Sequence, residues 1–234
     1  MANLVAEKIH FRHGRQPVLR GVDFTARDGE SVVLFGINGA GKSTLLNLLS
    51  TRYRMQAGLY LLNGRDAARE PELLRAALLY VGHHTHLYGH LTAVENLRFF
   101  TDLRDLTCSG DQLMAAVNAA GLAKAAHRPV RGFSAGMRKR LALARMLLTR
   151  PSLLLLDEPY SSLDTQGVTW LNELLRDYTQ QGGTLVMATH DPERVAALAP
   201  RVLRLENGRL AQDGEHPPAP TDAALGGFLA VAPA

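Results

Sequence analysis

Apolar residues arrive along this chain in two different rhythms. Residues 4–11 and 18–26 mix β-branched, aromatic and polar side chains with turn signals between and after them, which predicts an antiparallel strand pair. The next rhythm is strand, loop, helix. Ser31–Phe35 is a short apolar strand, Gly36 to Gly41 is a glycine-rich turn, and Leu45, Leu46, Leu48 and Leu49 place a helix over residues 42–50. Leu78–Val81, residues 153–156, Thr184–Ala188 and residues 202–205 are further short apolar strands, as in a largely buried sheet with helices on its faces. Between about residues 92 and 150 the strand signals stop, and helices over 93–101, 111–120 and 134–148 form an inserted block. Val168, Leu171, Leu175 and Tyr178 recur at helical spacing over 165–181, and Gly182 and Gly183 end that helix. Asn207-Gly208 signals a two-residue hairpin. No internal repeat interrupts this order. The fold class is therefore α/β.

Composition narrows the classes of function. The chain has 234 residues, 46% of them hydrophobic and 21% charged, which fits a folded globular protein and disfavours disorder, collagen and coiled coil. Its apolar runs, such as residues 153–156, fall far short of the roughly 20 residues that cross a bilayer. Glu7 and Lys8 stand where a secretory signal would be apolar, so an intracellular protein is expected. Cys108 is the single cysteine, which rules out an internal disulfide and agrees with a reducing compartment. The net charge of +4 is scattered, with Arg138, Lys139 and Arg140 its densest cluster; neither a basic stripe nor an aromatic stacking motif accompanies it, so nucleic acid is not an expected partner.

Two motifs carry chemistry. Gly36, Ile37, Asn38, Gly39, Ala40, Gly41, Lys42, Ser43 and Thr44 match G-x-x-x-x-G-K-[ST] and lie between a strand and a helix, the context that turns a pattern into a phosphate site. Glycines let the backbone wrap phosphates, amides and the helix N-terminus face the negative charge, Lys42 reaches the β and γ phosphates, and Ser43 would hold Mg²⁺. Four leucines then lead into Asp157 and Glu158 at the exit of a buried strand, the edge where open α/β sheets bind ligands. Asp157 would ligate Mg²⁺, and Glu158 would polarise the attacking water.

Beside these stand Phe133-Ser134-Ala135-Gly136-Met137, then Ser161-Ser162-Leu163-Asp164, then His190 just past Thr184–Ala188. The ordered set resembles the ATP-binding subunits of ABC transporters over nearly the whole chain up to about Gly214. That resemblance implies a P-loop NTPase core of ABC type with an antiparallel β sub-domain and an inserted helical sub-domain. The ATP-binding domain would span residues 1–216, with the helical part at about 92–150 and an Ala/Pro-rich tail at 217–234. ATP and Mg²⁺ are the implied cofactors, and the activity is ATP hydrolysis coupled to transport. Ser134 and Gly136 match the signature that binds the γ phosphate of the opposite subunit's ATP, so a head-to-tail homodimer is implied. Asp164 matches the loop joining the two sites, and His190 the switch histidine near the γ phosphate. The other partners would be integral-membrane transporter subunits, placing the chain peripherally on the cytoplasmic face of the inner (plasma) membrane.

The departures matter too. The fifth signature position is Met137 where the family usually has Gln, a variant resembling exporter-type ATPases. The glutamine expected to ligate Mg²⁺ and contact the membrane subunit falls, by spacing from Tyr80, on His84. The adenine-stacking position falls on His13, with Phe11 on the same strand face. His83, His84, His86 and His90 lie close together but read as a polar loop, since no regular element there would fix ligand geometry. Local runs, including Gly82-His83, Asp157-Glu158-Pro159-Tyr160 and Gln181-Gly182-Gly183, resemble ATP-binding subunits of haem exporters in bacterial cytochrome c maturation. Drug, lipid or polysaccharide exporters, and soluble ABC ATPases without a transporter, share much of this pattern and remain alternatives.

Overall fold

The computed structural model describes residues 2–198 and 200–214; the expected tail at 217–234 lies outside them. Two sheets and a helical block make up the architecture. β1 (Ala2–His13) and β2 (Gln16–Arg27) pair antiparallel. β3 (Ser31–Phe35) leads through the glycine loop into α1 (Lys42–Leu49). β4 (Ala57–Leu62) and β5 (Arg65–Asp66) then extend the first sheet to the order β2-β1-β4-β5. α2 (Pro71–Ala77) and β6 (Leu78–Val81) precede the helical block of α3 (Ala93–Asp102), α4 (Gly110–Ala119) and α5 (Ala135–Thr149). β7 (Leu153–Asp157), α6 (Thr165–Gln180), β8 (Thr184–Ala188), α7 (Pro192–Val195), β9 (Arg201–Glu206) and β10 (Arg209–Gly214) complete the chain.

The second sheet has the order β10-β9-β3-β8-β7-β6, parallel except at β10. β3, β7 and β8 are buried on both faces, and period-two alternation divides their side chains cleanly. Val32, Leu34, Leu153, Leu155 and Val186 face α1 and the antiparallel sheet, whereas Val33, Phe35, Leu154, Leu156 and Met187 face α5 and α6. α1 is thus sandwiched between two sheets, which fixes the direction in which its N-terminus points. A third core, with Leu97, Leu113, Val117 and Leu141, closes the helical block.

Caps set the ends of these helices. Thr92 and Ser109 each form a reciprocal capping box, with Glu95 and Gln112 respectively. β4, β5, α2 and α7 were not legible in the sequence: all are short, and β4 has only a partial alternation. No helix among the described residues is long and apolar enough to cross a membrane.

Candidate functional site

The parallel sheet brings the ends of β3, β8, β7 and β6 side by side, so residues remote in sequence share one edge. At the end of β3 the loop is tightly determined. Gly36 leaves no room for a side chain, since a Cβ there would lie 2.3 Å from the Leu205 carbonyl. Gly41 takes φ +107 as the N-cap of α1, where only glycine is unstrained, and no side chain caps that helix. The first amides of α1 therefore remain available to an anion. Asn38 and Gly39 are exposed at the loop tip, Ala40 is buried beneath it, and Thr44 is half-buried on α1. Lys42 arches over the loop, its Nζ donating to the carbonyls of Gly36 at 2.6 Å and Ile37 at 3.1 Å. Burial lowers its pKa, and the carboxylates of Glu158 and Asp157 partly offset this.

Across from the loop, Asp157 ends β7 in a buried position and is hydrogen-bonded by Ser43. Burial raises its pKa and Glu158 adds to that; the Ser43 hydroxyl, Lys139 and Lys42 pull the other way. A serine hydroxyl beside a carboxylate is the hard-oxygen donor set that suits Mg²⁺. The hydroxyl of Tyr80 on the neighbouring strand also meets Asp157, and burial pushes Tyr80 up to about 12. Glu158 follows with φ +48, a left-handed conformation that costs a non-glycine residue on the order of 1–3 kcal/mol. Its N–H donates to the Ala188 carbonyl at 2.9 Å, and Ser161 Oγ donates to its carbonyl at 2.8 Å. The carboxylate of Glu158 lies 2.9 Å from His190 Nδ1 and 3.4 Å from Thr189 Oγ1, so the carboxylate and the histidine face each other at the ends of β7 and β8.

Ser134 is the N-cap of α5, accepting from the Met137 N–H at 3.2 Å, and is exposed. A Cβ at Gly136 would meet the Ser162 carbonyl at 2.8 Å, so the signature loop packs directly on the segment before Asp164. Asp164 caps α6 through Gly167 N–H at 2.8 Å and accepts from Arg140 at 3.2 Å; these bonds hold its carboxyl below the usual carboxylate range. Arg140 in turn lies over the Trp170 ring.

Two expectations change. Phe11 does not offer a free ring: it is buried, with Tyr53 stacked on it at 5.3 Å and His13 edge-on at 4.9 Å. His13 and Tyr53 are the exposed rings there, and Tyr53 had no motif to mark it. His84 is exposed, and among the described residues its ring neighbours are His83 and His86, with no contact to Ser43 or Asp157. Tyr80 on β6 reaches the Asp157 carboxylate. The histidine cluster holds no group of three metal-binding side chains among the described residues. Sequence reading also missed Lys139, Arg140 and Thr189, which lie in or next to motifs but gain their contacts only in three dimensions.

A family model described as "ABC transporter" matches residues 19–161, the stretch from β2 through Asp157 and Glu158 to Ser161. The chain belongs to that family. It is also 37% identical over 211 residues to the "Cytochrome c biogenesis ATP-binding export protein CcmA" of Shigella flexneri, covering 90% of this chain and all of that protein. The protein of the same name from Escherichia coli (strain K12) matches with the same identity and coverage. A solved "ATP binding subunit of ABC transporter" superposes with a TM-score of 0.84 at 27% identity, covering 91% of this chain and 89% of that one. The protein is thus an ABC-type ATP-binding subunit, a nucleotide-binding ATPase that couples hydrolysis to transport.

Proposed function

We propose that this subunit powers a membrane exporter serving cytochrome c maturation, with haem or a haem-linked step as its business. The observation that carries the reading is the 37% identity to CcmA export proteins over their full length. In this reading the amides of the loop from Gly36 to Gly41 and Lys42 hold the phosphates, and Ser43 and Asp157 hold Mg²⁺, which supplies charge neutralisation on the phosphate oxygens. Glu158 accepts a hydrogen bond from the attacking water, and His190 keeps that carboxylate aimed and meets the γ phosphate. His13 and Tyr53 receive the adenine. Residues 1–216 act as one ATP-binding domain, residues 92–150 as its helical part.

Ser134 and Gly136 then serve a second copy's nucleotide, arranged head to tail, with Asp164 at the junction. The exposed, capped start of α5 supports this, because its dipole end faces outward. Mixing Lys42→Ala and Ser134→Arg chains tests it: heterodimers should regain turnover through the one composite site that carries neither change, and no recovery with heterodimers demonstrably formed refutes the shared site.

A cleft of about 770 Å³ between β6 and α3, lined by Leu79, Tyr80, Phe100, Leu103, Arg104 and Arg145, supports docking of a membrane-embedded subunit, which would hold the chain peripherally on the cytoplasmic face. Leu103 is 66% exposed there, and neither arginine makes an ion pair among the described residues. The function is tested by expressing this chain in a bacterial strain lacking CcmA and measuring haem-stained c-type cytochromes. Restoration that is lost with Glu158→Gln is expected; no restoration by a chain co-isolating with the host's membrane subunits would overturn the assignment.

A further inference from the structure

Lys139 sits one turn and a half into α5, yet its side chain is only 3% exposed. Its Nζ donates to the Gly82 carbonyl at 3.2 Å and to the Glu158 carbonyl at 3.3 Å. These two carbonyls follow adjacent parallel strands, since Val81 pairs with Leu156. A buried ammonium is costly, and a neutral side chain would join two carbonyls at lower cost. The position next to Asp157 and Glu158 gives that charge a use. Gly82 is itself packed onto Tyr80, where a Cβ would lie 2.5 Å from the hydroxyl that meets Asp157. Lys139 thus ties the backbone of Glu158 to Gly82, while the Tyr80 hydroxyl packed under Gly82 meets the Asp157 carboxylate.

Glu158 needs such bracing. Its left-handed backbone is held at the N–H by Ala188 and at the carbonyl by Ser161 and Lys139. Without Lys139 the carbonyl keeps only the Ser161 donors, and the freedom it gains shifts the carboxylate relative to His190. We propose that Lys139 is a positioning residue for ATP hydrolysis, tying the backbone of Glu158 to the loop that begins at Gly82. This rests on the reading of Glu158 as the group that activates water. Lys139 touches no substrate atom in it, so its loss slows turnover while leaving nucleotide affinity intact.

The experiment compares Lys139→Met, Lys139→Gln and Lys139→Arg in the full chain, with kcat counted per nucleotide-binding site, ATP affinity and melting temperature. Lys139→Met should lower kcat on the order of tenfold, the scale of a modest misplacement of a reacting group, with affinity held within about twofold. Lys139→Arg, which keeps charge and donors, should recover most of that loss. In a Glu158→Gln background Lys139→Met should cost no more than about twofold, because the two act as a unit. If Lys139→Met does not fold, Lys139→Gln carries the same readouts. Wild-type kcat in the neutral variants overturns the inference, as does a loss that multiplies in the Glu158→Gln background or that tracks affinity and melting temperature. Wild-type turnover by Glu158→Gln alone defeats the underlying role of Glu158; slow Glu158→Gln with unaffected Lys139 variants defeats only the role of Lys139.

Discussion

Replacing Glu158 by glutamine removes one negative charge and changes almost nothing else. The glutamine oxygen can still accept from His190 Nδ1 or Thr189 Oγ1, at the 2.9 and 3.4 Å now spanned by the carboxylate. The backbone remains held by Ala188, Ser161 and Lys139, and the strain at φ +48 is the same for either side chain. The fold and the phosphate loop should therefore be untouched. Loss of a positioned general base costs about 10²- to 10⁴-fold in rate. At 1.36 kcal/mol per decade that is about 3 to 5 kcal/mol of transition-state stabilisation. Phosphate release under saturating Mg-ATP gives kcat, a fluorescent nucleotide gives affinity, and gel filtration with Mg-ATP reports an ATP-bound dimer that cannot reset. Lys42→Ala is the contrasting variant: its ammonium lies over the loop carbonyls, so its removal should weaken nucleotide binding and turnover together. Glu158→Gln turning over within threefold of wild type, or losing affinity in step with Lys42→Ala, would refute the division of roles.

Three further outcomes follow from the same geometry. Burial holds the Asp157 pKa above the ordinary carboxylate value, so the native state binds that proton more tightly than the unfolded chain, and stability is lost as pH rises through the raised window. Asp157→Asn should therefore melt higher than wild type at neutral pH without nucleotide, the two converging on acidification, while Mg²⁺-dependent turnover disappears; a lower melting temperature at neutral pH contradicts this. Leu175→Ala in α6, fully buried against the outer face of the parallel sheet, should cost about 2–5 kcal/mol in urea unfolding with kcat per folded molecule unchanged. His84→Gln should leave turnover within about twofold of wild type; a larger change would place His84 nearer the metal pair than its ring contacts with His83 and His86 do.

The sequence by itself determined what is local. A five-residue strand with four apolar side chains, a loop whose glycines are required by φ and by close backbone approach, and a leucine-rich helix must follow one another to make the phosphate loop, and all three are written consecutively. Four leucines before two carboxylates likewise specify a buried strand with a polar exit, and Ser134 and Asp164 announce helix starts because a short oxygen-bearing side chain satisfies free amides. What depends on strand order was not legible. Nothing in the chain states that β8 lies between β3 and β7, yet that placement is what sets His190 against Glu158. The buried reach of Lys139 to two carbonyls, the hydroxyl of Tyr80 on Asp157 and the covering of Phe11 by Tyr53 are contacts between residues 19 to 77 positions apart. At His84, likewise, spacing along a strand fixes where a loop begins but not where its side chains go once the sheet ends. Local periodicity encodes which faces are apolar; only packing those faces together decides which polar groups at the edges meet.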